Sequence, residues 1–142
     1  MEKILIAFAT DDGNTFINRH FGDSKYFDIY EVKEGNFEFV KRIQNTSEKE
    51  KFHADPEKAK GVSGLLLKEK VNVVAAKIFG PNLSRIQKKF FCFIVKISGI
   101  DDCLDFIAEN SDSIRLELEK KEPKKVFVIE KKGMRYAENK TV

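Results

Sequence analysis

The sequence predicts one α/β domain, a three-layer α/β/α arrangement around a mixed five-stranded sheet. Three observations predict it. Lys3–Ala9, Val71–Ala76 and Phe91–Val95 are short apolar runs of the kind buried as central strands. Tyr26–Val32 and Phe37–Ile43 flank the turn residues Glu34-Gly35-Asn36, which is a hairpin signature. A helical pattern lies between the Val71 and Phe91 strands, so those two should run parallel through a crossover. At 142 residues the chain fits a single domain that can bury its own core.

Each element has its cause in local chemistry. Lys3–Ala9 ends at Thr10–Asn14, where Asp11-Asp12-Gly13 is turn-forming. Phe16–Lys25 holds the dense group Arg19-His20-Phe21-Gly22-Asp23 and reads as a loop. Asp55-Pro56-Glu57 is a helix start, with Asp55 as the cap and Pro56 in the first turn. Ala59, Val62, Leu65 and Leu66 then share one helical face. Gly80-Pro81-Asn82 turns the chain into a helix carrying Leu83, Ile86 and Phe90 at helical spacing. Asp101–Glu109 is a helix with Leu104, Ile107 and Ala108 inward. Ile114, Leu116 and Leu118 alternate, which favours a strand, although Ile114 and Leu118 also fit a continued helix. Val126–Ile129, Lys131-Lys132-Gly133 and Met134-Arg135-Tyr136 read as a hairpin. The core pattern closes by Asn110, so residues 111–142 are expected to form an addition at a sheet edge, dispensable for folding.

Charge narrows the partners. From Arg115 onward the net charge is +4, and the first 114 residues carry −1, together the +3 of the chain. A nearly neutral body argues against a broad phosphate-binding face and hence against nucleic acid. No apolar run approaches the ~20 residues of a membrane span. Met1–Ala9 is too short for a secretory signal and is followed at once by Asp11 and Asp12. Only two cysteines occur, Cys92 and Cys103, with ten residues between them in apolar surroundings. They fit buried hydrophobes in a reducing cytoplasm better than a disulfide or CxxC metal site.

The chemistry-bearing residues gather after the first strand. Asp11, Asp12 and His20 lie just beyond its carboxyl end, where open α/β sheets place ligands. A neutral His20 ring could ligate a metal, and Gly22 would let a ligand approach the backbone. Gly80 opens a helix start that could present amides to an anion. His53 stands in a polar loop, and Asn45, Thr46 and Ser47 carry no distinctive signal. Motifs for nucleotide loops, zincins and hydrolase elbows are absent. A two-metal nuclease needs several converging carboxylates, and Val71–Ala76 supplies none.

Ile4–Ala9, Asp11-Asp12-Gly13, His20-Phe21-Gly22-Asp23-Ser24-Lys25-Tyr26-Phe27 and Ile29-Tyr30-Glu31-Val32 resemble one known opening. It is that of the dinitrogenase iron–molybdenum cofactor biosynthesis family, which includes NifX-like accessory factors and a C-terminal domain of NifB. The spacing HFG, three residues, YF, one residue, IYEV is the most specific part. Ile78-Phe79-Gly80-Pro81 and Leu83 match the turn that succeeds the family's apolar fourth strand. The resemblance covers residues 1–110 as an accessory-factor-like domain and leaves 111–142 as a basic C-terminal extension. It implies a ribonuclease-H-like fold, no reaction of its own, and an iron–sulfur cofactor precursor as ligand. It also implies His20 as metal ligand, with Asp11, Asp12, Gly22 and Gly80 around the site. The implied partner is a metallocluster or a cluster-assembly protein. Many cluster-handling members carry a Cys near the start of the first helix, where this chain has Lys60-Gly61-Val62-Ser63-Gly64. The alternative is therefore a small-molecule or protein-interaction module of the same fold that holds no cluster.

Overall fold

The computed structural model describes residues 3–47, 55–120 and 124–137. Seven strands make one sheet: β1 (Ile4–Thr10), β2 (Tyr26–Lys33), β3 (Asn36–Gln44), β4 (Val73–Ala76), β5 (Phe91–Val95), β6 (Val126–Glu130) and β7 (Gly133–Tyr136). Their order across the sheet is β3-β2-β1-β4-β5-β6-β7. β1, β4, β5 and β6 are parallel, and β2, β3 and β7 join by antiparallel pairing. The helices are α1 (Pro56–Leu67), α2 (Leu83–Ile86), α3 (Ile100–Glu109) and α4 (Ser111–Glu119), with a short 3₁₀ turn at Gly80–Asn82 leading into α2. No helix among the described residues is long and apolar enough to cross a membrane.

The period-2 geometry of strands divides the central apolar runs between two cores. Ile4, Ile6, Phe8, Val73, Ala75, Phe91, Phe93 and Val95 point to one face. There they meet Ile100, Leu104 and Ile107 of α3 and Ile114 and Leu118 of α4. Ala7, Ala9, Val74, Ala76, Cys92 and Ile94 point to the other face, against Val62 and Leu66 of α1 and Leu83 and Ile86 of α2. Both faces being covered explains why these strands read as continuous apolar runs. Asp55 caps α1 as expected, its carboxylate accepting from the Glu57 amide at 3.0 Å.

Two expectations are corrected. The sheet has seven strands, not five, because β6 pairs in parallel with β5 and turns back as β7. The segment from Ser111, where alternation favoured a strand over a continued helix, begins with helix α4. Ile114 and Leu118, four residues apart, are buried, while Leu116 between them is 65% exposed. Burial there keeps to the helical period, and the three-residue alternation was too short to separate the two.

Candidate functional site

Because β1, β4, β5 and β6 run parallel, their carboxyl ends share one edge of the sheet. The loop from β1 to β2 crosses that edge. Thr15 makes an isolated bridge to Gly99 beyond β5, and the Ile100 amide donates to the Asn14 carbonyl at 2.9 Å. The loop then returns, and His20 bridges to Ile78 beyond β4. The Phe21 amide donates to the Ile78 carbonyl at 2.8 Å. Phe21 is fully buried, with ring centroids 5.1 Å from Phe27 and 5.2 Å from Phe79. This aromatic anchor ties the loop to the core and leaves the preceding residue, His20, half-buried at the surface.

The His20 ring rests on Gly80. Gly80 has φ +75°, and a Cβ built there would lie 2.8 Å from three of the ring's atoms. Any larger residue would displace the imidazole as well as strain the backbone. The ring lines a crevice with room for about one water, bounded by Gly22, Asp23, Lys58, Phe79 and Asn82. A Cβ at Gly22 would sit 3.3 Å from both Lys58 Cε and Val62 Cγ2, so this glycine admits the close approach of α1. His20, Gly22 and Gly80 therefore do come together.

The two carboxylates are placed differently. Asp11 pairs with Arg19, whose Nη2 lies 3.1 and 2.9 Å from its two oxygens and also donates to the Asp23 carbonyl. Partial burial pushes the Asp11 carboxyl up. The Lys25 amide, donating at 2.9 Å, and Arg19 outweigh that and hold it below the usual range. Asp12 closes its own turn. It accepts from the Thr15 and Asn14 amides at 2.9 and 2.8 Å and from the Thr15 hydroxyl at 2.9 Å. These bonds lower its pKa to about 2, the Thr15 amide first. Gly13 comes next at φ +84°, where a Cβ would meet the Arg42 guanidinium at 2.5 Å. That guanidinium is bound by the buried Asp28 at 2.7 and 3.1 Å and lies 4.4 Å over the Tyr26 ring. Both acids thus shape the loop, and their oxygens are taken up by neighbours.

Thiolate chemistry is not offered by the cysteines. Cys92 and Cys103 are fully buried in opposite cores, and burial pushes both thiols up, that of Cys103 to about 12. Among the described residues no group of three or more His, Cys, Asp and Glu side chains could hold a metal. His53 lies outside the described residues.

Three contributors escaped the sequence reading. Asn45 Nδ2 donates to the Gly22 and Ser24 carbonyls, both at 2.8 Å, and so braces the histidine loop from beyond β3. Lys58 is buried in the crevice wall, with Nζ 2.9 Å from Ser47 Oγ. Asn82 joins the crevice to the start of α1 by donating to the Asp55 carbonyl at 3.0 Å. All three act across long sequence separations, which no local pattern encodes.

The fold and this edge define a small α/β domain whose chemistry-bearing loop lies over the carboxyl ends of parallel strands. The chain belongs to the dinitrogenase iron–molybdenum cofactor family, whose pattern matches residues 2–109. Two solved structures of a candidate dinitrogenase from Methanocaldococcus (Methanococcus) jannaschii share the fold. The crystal structure is 22% identical with a TM-score of 0.57, and the NMR structure is 21% identical with a TM-score of 0.58. Each match covers 78% of this chain and 92% of the other. No curated protein matches the chain. Helix α4 and the β6–β7 hairpin lie beyond the matched residues.

Proposed function

We propose that the chain is a non-enzymatic carrier domain that receives an iron–sulfur cofactor precursor at the His20 edge and passes it on. The observation that carries this is the His20 ring, half-buried and seated on Gly80 at the ligand-binding end of the sheet. Neither ring nitrogen is engaged by another described side chain, so the ring can donate a lone pair to a cluster iron. The donor set suits cargo better than a resident centre. Iron–sulfur clusters held for good normally take several thiolates, and both thiols here are sealed in the cores. A single imidazole leaves the other iron sites to the cargo's own sulfides or to the next protein. The order β3-β2-β1-β4-β5, with its antiparallel hairpin and parallel continuation, supports a ribonuclease-H-like reading of the family portion. A cytoplasmic location agrees with this cargo.

A second reading, a protein-interaction module that carries no cluster, is favoured by the same shortage of ligands. Iron content after purification without oxygen distinguishes the two. The decisive comparison is anaerobic titration of wild type and His20→Ala with a cofactor precursor, alongside melting curves. The carrier reading expects His20→Ala to bind at least about tenfold more weakly, because loss of even an outer-shell partner of a metal ligand costs about 10–100-fold. Its melting temperature should be nearly unchanged. Equal binding by the two proteins sinks the ligand role.

A further inference from the structure

The β6–β7 hairpin brings new charge to the edge that carries His20. Parallel pairing of β4, β5 and β6 sets Lys77, Lys96 and the turn residues Lys131 and Lys132 beyond three adjacent strand ends. The Lys96 amide donates to the Ile129 carbonyl at 2.8 Å, which locks the first half of this row to the second. Adjacent strands lie about 4.8 Å apart, so the row spans about 10 Å before side chains are added. Lys77 Nζ is 3.2 Å from Asn18 Oδ1 of the histidine loop. Lys96, Lys131 and Lys132 are exposed, and their ammonium groups have no ion-pair partner among the described residues. Beside them Ile78, the residue that bridges to His20, is 37% exposed.

We propose that this row is a docking surface for an acidic segment of a partner protein, and that the C-terminal extension supplies half of it. The surface has a polar, basic run with one apolar contact beside the candidate site, which fits a short acidic stretch carrying an aliphatic residue. A nucleic acid fits it less well. The row is short, and on the α3 side it is bounded by Asp101 and Asp102 in the first turn of that helix. The phosphates of a longer strand would meet that negative charge. The proposal holds whether or not His20 takes a cluster iron, because none of these lysines is part of the crevice.

The test uses the full chain and a fluorescein-labelled peptide of Glu-Glu-Leu repeats, with anisotropy read at low salt and at about 0.15 M ionic strength. Wild type should bind, with affinity falling as salt rises. The triple variant Lys96→Glu, Lys131→Glu, Lys132→Glu should lose at least about tenfold. A control, Lys68→Glu, Lys88→Glu, Lys89→Glu, makes the same charge change with exposed residues at the opposite edge of the sheet. It should lose less than about twofold, the share left to net charge alone. All six positions are exposed, and melting curves confirm that both variants fold. No binding by wild type, or equal loss in the two variants, overturns the proposal. Tighter binding of a single-stranded oligonucleotide of equal charge also overturns it and assigns the row to nucleic acid.

Discussion

At the scale of single residues, hydrogen bonds that close the histidine loop matter more than free charges. Asp12 accepts from two amides and a hydroxyl, and its folded pKa of about 2 lies below the ordinary 3.8. A depressed carboxylate contributes stability that is fully present above its unfolded pKa. That contribution is lost as pH falls through the folded value. Asp12→Asn keeps an acceptor oxygen and removes the charge. It should melt below wild type at neutral pH, and the gap should close as pH falls from about 4 to about 2. Thermal melts of both proteins across that range check this, and a gap unchanged down to pH 2 would rule the carboxylate out. In the sequence Asp11-Asp12-Gly13 could be read as a turn or as part of a site. The structure shows the turn. The family resemblance already implied that His20 and Gly80 share a site, but the ring's contact with the Gly80 backbone joins residues sixty positions apart and no local pattern encodes it.

At the scale of elements, patterning was read best where burial is complete. β1, β4 and β5 were visible as apolar runs because helices cover both of their faces. β2 and β3 were visible from their turn and aromatic content. The bulge between them was not. Ile29 pairs with Lys41 and Tyr30 with Phe39, leaving Val40 as the extra residue on an edge strand. Helix α4 was misread because three apolar residues cannot separate a period of two from one of 3.6. β4 is the clearest test of the element reading. Val73 is fully buried, facing the α3 core, and pairs with Ile6 and Phe91. Val73→Asp would place a charge there without a partner. It should cost several kcal/mol, on the order of the 2–7 known for unpaired buried polar groups, or prevent folding. A soluble variant with a near-native melt would remove β4 from the centre of the sheet.

At the scale of the molecule, composition and strand order conveyed the α/β class and the parallel crossover, but not where the domain ends. Residues 2–109 match the family and suggest closure at Asn110. Packing indicates that closure comes later. Ile114, Leu118, Phe127 and Ile129 share one core with β1, β4 and β5, and Val128 enters the other. Without them β5 becomes an edge strand, and Phe93 and Val95 lose cover on the α3 side. Each such large apolar side chain is worth about 2–5 kcal/mol when removed from a core. Several together match the whole net stability of a domain, about 5–15 kcal/mol. A chain ending at Asn110 should therefore be insoluble or melt far below the full chain, despite containing everything the family pattern requires. A shortened chain that is soluble and melts cooperatively near the full-length temperature would show that the family portion folds alone. In that case the extension adds only its lysines to the edge, and the docking surface becomes separable from the fold. If the shortened chain fails, the same hairpin both completes the core and carries Lys131 and Lys132. The docking row must then be tested by substitution at those two positions rather than by removing the segment.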